Sequence, residues 1–303
     1  MSKSPQTTPI KVDDFLLANW PLPMPSEDGD KDERGRILLV GGSPQMPGAI
    51  MLAANAALRA GAGKLTVATA RTVAPLVAAQ IPEAKVIALA EDDDGLLAPH
   101  ALQDSLAEIA GKIDAFVIGP GMEARPQIMG ELAALLPLFV EARIVLDAGA
   151  MDAVKSASAK EGAAGMRPAV LITPHAGEMA HLTGLFKEAV LEDPDRLVQR
   201  MTREWQAVIA LKGARTVIAN PDGDSWEHCG GNSGLAVSGS GDTLAGIIGG
   251  LAARGASLEQ AAVWGVALHA KAGEMLARRL GPLGFLAREI PGEIPGLMHR
   301  HAI

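Results

Sequence analysis

The chain has 303 residues, 48% of them apolar but only 3% aromatic, with 34 Gly, 20 Pro, one Cys and no Tyr. High apolar content with a charged fraction of 20% excludes a disordered protein, and a lone Cys229 excludes a disulfide framework. The net charge of −8 and the scarcity of rings exclude a basic, base-stacking nucleic-acid surface.

No apolar run approaches the roughly 18 residues of a membrane span, and residues 1–14 have no apolar leader, so a cytoplasmic protein off the membrane is expected. Residues 1–34 read as an N-terminal arm around the Pro-rich stretch Trp20 to Pro25, with a short helix over 13–19. Residues 35–303 read as one domain. Its first apolar run, Arg36 to Val40, ends in Gly41-Gly42 and predicts a buried strand. A small-residue helix follows from Ala49 to Ala60, closed by Gly61-Ala62-Gly63. Further strands are predicted over 65–69, 85–88, 115–118, 144–146 and 169–172. Alternation with helical segments implies an α/β fold with a mainly parallel sheet covered on both faces. After a helix over 194–205 the rhythm changes to short runs over 207–211, 216–219 and 225–228. The turn Pro221-Asp222-Gly223 between the last two predicts an antiparallel hairpin appended to the sheet. Two helices dominate from Asp242 to the Gly281-Pro282 turn.

The strongest chemical signal is the run Ser238-Gly239-Ser240-Gly241-Asp242 leading into a helix. The first N–H groups of a helix have no partner inside it and lie at its positive end, so they can hold a phosphate or a developing anion. Asp242 at that mouth suits a base that takes a proton from a hydroxyl beside the anion. The same residues fit a capped tight turn equally well. Two common nucleotide motifs fail. Gly63-Lys64 is no P-loop, because Leu58 stands where its first Gly belongs and Leu65 follows the Lys. Gly239-Ser240-Gly241 meets its next Gly only at Gly246, which breaks the dinucleotide spacing.

With four other segments this run resembles the NAD(P)H-hydrate dehydratase branch of the ribokinase-like superfamily. These are Gly41-Gly42-Ser43 with Pro47-Gly48-Ala49, Ile118-Gly119-Pro120-Gly121, Leu171 to Met179 around Thr173-Pro174-His175-Ala176-Gly177-Glu178, and Leu211 to Thr216. The resemblance covers roughly residues 35 to 280 and implies a ribokinase-like three-layer fold. It implies ADP- or ATP-dependent dehydration of the (S)-hydrates of NADH and NADPH (NADHX and NADPHX). The hydrated dinucleotide would lie against Ala49, Gly121, His175 and Asp242. Adenine nucleotide would lie along Lys212, Gly213, Ala214, Arg215 and Thr216 and at Gly241, with Lys212 and Arg215 offering two cations to phosphates. Asp242 is the implied base, and Ser238, Gly239, Ser240 and Gly241 form the anion hole. Glu178 is implied to orient Mg²⁺ through water, or else favours its own helix dipole. His181, His228 and His269 read as structural or surface residues.

The sequence departs from the family pattern at Ser238-Gly239, where the family has Gly-Gly, and at Asn232-Ser233-Gly234, where it has Asn-Pro-Gly. Asp147-Ala148-Gly149 lacks a second acidic residue. Thirty-four residues of arm are too few for the epimerase domain that some members carry, so a separate epimerase is the expected partner. A homo-oligomer is expected, a tetramer by resemblance. A small-molecule kinase of the same superfamily, for a hydroxymethylpyrimidine or a sugar, is the alternative enzyme. A catalytically silent nucleotide-binding protein is the alternative of another class.

Overall fold

The computed structural model describes residues 8–26, 28, 30–93, 95–123, 125–157 and 168–301. Each apolar run becomes a strand within a residue of its predicted bounds: Arg36–Val40 (β2), Lys64–Ala70 (β3), Ala84–Leu89 (β4), Ala115–Ile118 (β5), Arg143–Leu146 (β6) and Ala169–Ile172 (β7). Val208–Leu211 (β8), Arg215–Ala219 (β9) and Ser225–Cys229 (β10) follow, and the arm adds Ile10–Lys11 (β1). The first helices are Asp14–Asn19 (α1), Pro47–Arg59 (α2), Ala74–Gln80 (α3), Ala101–Leu106 (α4), Pro126–Leu135 (α5) and Val154–Ala157 (α6). The rest are Ala176–Thr183 (α7), Lys187–Glu192 (α8), Pro194–Trp205 (α9), Ser240–Ala253 (α10), Leu258–Leu280 (α11) and Ile290–His301 (α12).

The strands form one sheet in the order β1-β10-β9-β8-β7-β6-β5-β2-β3-β4. The seven strands from β8 to β4 run parallel, and β9 pairs antiparallel with both β8 and β10. Alternate residues of each central strand point to opposite faces, as the period of two demands. Ile37, Leu39 and Val117 join α2, α10, α11 and α12 on one side. Leu38, Val40 and Phe116 join α4, α5, α7 and α9 on the other. The expected three-layer α/β fold is therefore present. Among the described residues no helix is long and apolar enough to cross a membrane.

The chain order fixes where a ligand can enter. From β2 it builds outward through β3 to β4, then returns to β5 on the other side of β2 and builds through β6 and β7 to β8. Connections leave β2 and β5 in opposite directions, which opens a crevice at their carboxyl ends.

Two elements carried no clear sequence signal. β1 is two residues long and pairs parallel with β10, and Trp20 from the arm stacks on Trp226 with ring centroids 5.7 Å apart. The Trp20 carbonyl accepts a hydrogen bond from Trp264 Nε1 at 2.8 Å, tying the arm to α11. α12 contains Pro295, which disfavours a helix, yet Ile290, Ile294 and Leu297 fall on one face and are buried. Burial of that face outweighs the local penalty.

α10 crosses α2 at very short range because Gly246 and Gly250 present no side chain there. A Cβ at Gly246 would stand 2.2 Å from the Ala53 carbonyl oxygen, and one at Gly250 2.4 Å from that of Ala57. The obstacle is backbone in both places, so it cannot rotate aside. Gly246→Ala is expected to lose about 1–3 kcal/mol by overpacking, read as a lower urea midpoint; an unchanged midpoint would contradict this packing.

Candidate active site

The crevice between β2 and β5 is floored by backbone. Gly119, at φ +125°, passes beneath Asp147, whose carbonyl oxygen would lie 1.8 Å from any Cβ there. Gly121, at φ +71°, would place a Cβ 2.9 Å from the Ala49 Cβ and 3.2 Å from the Gly42 Cα. Only glycine fits such conformations without strain. Ala49 of α2 and Gly121 after β5 thus meet in one place, at the carboxyl ends of the two strands that flank the switch point.

A second group of residues follows β6, β7 and β8. Asp147 is buried directly after β6, and its Oδ1 accepts a 2.6 Å hydrogen bond from Thr173 Oγ1. Lys212, directly after β8, donates its backbone N–H to the Pro174 carbonyl at 2.7 Å. This holds the Lys212 Nζ 3.4 Å from Asp147 Oδ1 and 3.8 Å from Glu178 Oε2. The mouth of α10 lies alongside, since a Cβ on Gly241 would stand 3.4 Å from the same Nζ.

Asp242 ionises against this neighbourhood. Its carboxyl is pushed up to about 6, first by burial and then by the Asp147 charge; Lys212 pulls it down and Glu178 adds to the rise. Asp242 does not cap α10. The helix begins two residues earlier than the predicted Asp242, at Ser240, and its N-cap is Gly239 at φ +88° with no side-chain cap. The turn before α10 is therefore not capped by a side chain, and Asp242 lies inside the helix. Its carboxyl lies in the first turn, beside N–H groups that have no helical partner.

His175 caps α7. Its Nδ1 accepts from the N–H groups of Gly177 at 3.0 Å and Glu178 at 3.1 Å, while Glu178 Oε2 accepts from the His175 N–H at 2.7 Å. With Nδ1 occupied as an acceptor, the ring proton of the neutral form sits on the exposed Nε2. Glu178 is therefore anchored by this capping box and still faces Lys212.

In the segment Lys212 to Thr216 the backbone is tied by Thr216 Oγ1, which lies 3.2 Å from the Gly213 carbonyl oxygen, and Gly213 and Ala214 are exposed. Arg215 does not offer the second free cation expected for phosphates. Its guanidinium holds both carboxylate oxygens of Asp195 at 2.7 and 2.8 Å and Glu227 Oε2 at 2.7 Å. A bidentate pair with a third acceptor already satisfies the fork. Lys212 Nζ stays beside Asp147 and Glu178, whereas the Arg215 guanidinium is engaged by α9 and β10.

Two residues beside this site were given no chemical role by the sequence: Asp147, and His269, which was read as structural or surface and is packed against α10. Asp147 figured only in a departure from a motif, although a carboxylate directly after a central strand carries the signal of a crevice residue. His269 of α11 lies behind the α10 mouth with Nε2 3.0 Å from Ser240 Oγ, a contact between distant segments that no local pattern announces.

Among the described residues no group of three or more acidic, His or Cys side chains converges as a cage for a metal ion. A Mg²⁺ ion that arrives on nucleotide phosphates needs only one or two carboxylates and keeps several waters. Asp147 and Glu178, on either side of Lys212, fit that requirement.

The family model for NAD(P)H-hydrate dehydratases matches residues 37–295. The ADP-dependent (S)-NAD(P)H-hydrate dehydratase of Xanthomonas campestris is 48% identical over 282 residues, 92% of this chain and 93% of that protein. A bifunctional NAD(P)H-hydrate repair enzyme of Moorella thermoacetica is 41% identical over 284 residues, 93% of this chain but 53% of that protein. Among solved structures, the ADP/ATP-dependent NAD(P)H-hydrate dehydratase of Bacillus subtilis, co-crystallised with ATP and Mg²⁺, superposes with a TM-score of 0.79 at 30% identity, over 97% of this chain and 98% of that one. Pyridoxal kinase of Staphylococcus aureus shares the fold alone, at 16% identity and a TM-score of 0.57 over 86% of this chain and 95% of that one. With the switch-point glycines, the Lys212 cluster and the Gly241-Asp242 mouth inside the matched span, the chain belongs to the NAD(P)H-hydrate dehydratase family.

Proposed function

We propose that this protein repairs hydrated nicotinamide cofactors, converting (S)-NADHX and (S)-NADPHX to NADH and NADPH at the expense of ADP or ATP. The observation that carries the reading is Asp242, a carboxyl pushed up to about 6 in the first turn of α10, beside Lys212. A base with that proton affinity at a helix mouth suits a hydroxyl that must attack a phosphoryl group.

The hydrated ring enters over Gly121 and Ala49, with its hydroxyl toward Asp242. Asp242 takes the hydroxyl proton while that oxygen forms a bond to the terminal phosphorus of the nucleotide and the bridging P–O bond breaks, releasing AMP from ADP. Lys212 and the N–H groups at the α10 mouth stabilise the charge spread over the transferring group. Asp147 and Glu178 would hold a Mg²⁺ ion that arrives on the phosphates, and it would supply further positive charge there. Phosphate is a far better leaving group than hydroxide, so the ring nitrogen expels it, and loss of the adjacent C–H proton restores the double bond. The oxygen of the hydrate leaves in phosphate, and the net reaction is hydrate plus ADP giving dinucleotide, AMP and phosphate. Exposed Phe15, Phe186 and Leu191 support a homo-oligomer, for which a tetramer is our reading. A separate epimerase acting on the same hydrate is the partner we propose.

Incubation with hydrated NADH, Mg²⁺ and either nucleotide is expected to restore the near-ultraviolet absorbance of NADH. No recovery with ADP or ATP rejects the reading, and a stable phosphorylated product without NADH favours a small-molecule kinase instead.

Asp242→Asn is expected to lower kcat about 10²- to 10⁴-fold, the range for loss of a general base, with substrate still bound. Unchanged turnover would rule Asp242 out. In the wild type kcat/KM should fall on the acid side near pH 6, where Asp242 gains its proton, and that limb should vanish in the variant.

Stability moves the opposite way. Folding raises this carboxyl from 3.8 to about 6, so the unfolded chain releases the proton first and stability falls as pH rises through that window. Above it the ionised group costs up to about 3 kcal/mol. Asp242→Asn should therefore exceed the wild type in urea midpoint at pH 7.5, with the gap closing toward pH 4.

A further inference from the structure

His269 sits in α11, 29 residues beyond Ser240, with its Nε2 3.0 Å from Ser240 Oγ and 3.1 Å from the Ser240 carbonyl oxygen. Burial pushes the imidazole down to about 4; Ser240 opposes that and Lys212 adds to it, so the ring is neutral at working pH and carries one proton. Two tautomers are possible, and the two contacts choose between them. With the proton on Nδ1, the bare Nε2 lone pair would face the carbonyl oxygen, acceptor against acceptor. With the proton on Nε2, the N–H donates to the carbonyl and to Oγ together, a three-centre bond. Only the second arrangement satisfies both distances.

That choice has a consequence for the hydroxyl. If Oγ accepts from the ring, its own hydrogen is left to donate elsewhere. Ser240 is the first residue of α10 and directly precedes Gly241, so its hydroxyl is borne by the same end of the helix as the N–H groups of the proposed anion hole. The carbonyl bond from the ring also fixes the first turn, from which Gly241 and Asp242 project.

We propose that His269 is a positioning residue for phosphoryl transfer: its Nε2–H fixes the first turn of α10 and makes the Ser240 hydroxyl a donor to the anion held there. The proposal rests on the dehydratase reading for its reaction, but the ring's tautomer does not depend on that reading.

Two measurements test it. ¹⁵N spectra of the free protein, with the His269 signals assigned by their loss in His269→Gln, should show a protonated Nε2 and a bare Nδ1. An Nδ1–H tautomer overturns the proposal, and it does so even if the wild type proves inactive on hydrated NADH, a result that would instead overturn the dehydratase reading. In the active enzyme, His269→Leu and Ser240→Ala should each lower kcat roughly 10- to 100-fold, at or below the usual effect of removing an anion-hole donor, with KM for the hydrate little changed. The double variant should lose no more than the worse single variant, because both act through one hydroxyl. His269→Gln, whose amide N–H can replace the donor, should recover most of the rate lost in His269→Leu. Additive losses, equal losses for Leu and Gln, or an effect confined to KM would overturn the proposal.

Discussion

Lys212 faces more negative charge than one ammonium can neutralise. Asp147 and Glu178 lie 3.4 and 3.8 Å from its Nζ, and Asp242 ionises against the same group. Carboxylates sharing a partly dry crevice cannot all be charged cheaply, so one of them binds its proton above the ordinary range. Here that one is Asp242, the group whose proton affinity the proposed chemistry uses. The same excess explains how a metal fits. In the proposed reaction, nucleotide phosphates entering the crevice would add negative charge that Lys212 and a helix terminus do not balance, and a divalent cation bound to those phosphates would supply the difference.

Holding these charges in place is the task of the fold. Asp147, His175 and Lys212 each follow the carboxyl end of a parallel strand, so the register of β6, β7 and β8 sets their spacing. The α10 mouth is set by a different contact, the approach of Gly246 and Gly250 to the backbone of Ala53 and Ala57. Since Ala49 lies in the first turn of the same helix α2, the floor of the proposed dinucleotide crevice and the proposed anion hole are both carried by this closely packed helix pair. Misplacement of either by an ångström would separate hydroxyl from base.

The sequence made the strands and the glycine turns legible because both are local: a buried strand is a run of branched aliphatics, and a tight turn needs a residue without a side chain. Asp242 stood out as a candidate for the same reason, standing next to its glycines. Arg215 was not. Its fate is decided by Asp195, 20 residues upstream, and by Glu227 on the neighbouring strand, and no spacing within Lys212 to Thr216 reveals either. His269 stayed hidden because its partner is reached only when α11 folds back along α10. α12 was obscured by Pro295, whose penalty is visible in sequence while the buried face that offsets it is not.

Asp242 also shows why burial alone would not make a good base. Desolvation and the Asp147 charge raise its proton affinity, and the Lys212 charge opposes them. Lys212 limits the rise. At about 6 the carboxyl is still roughly nine-tenths ionised at pH 7, yet a far stronger base than a solvated aspartate. A phosphate that engages Lys212 draws part of that positive charge away from Asp242. In the proposed reaction the base therefore strengthens as the co-substrate arrives, and proton uptake from the hydroxyl is tied to the presence of the phosphoryl group that the hydroxyl must attack. In that proposed reaction, one lysine would couple the arrival of the nucleotide to the readiness of the base.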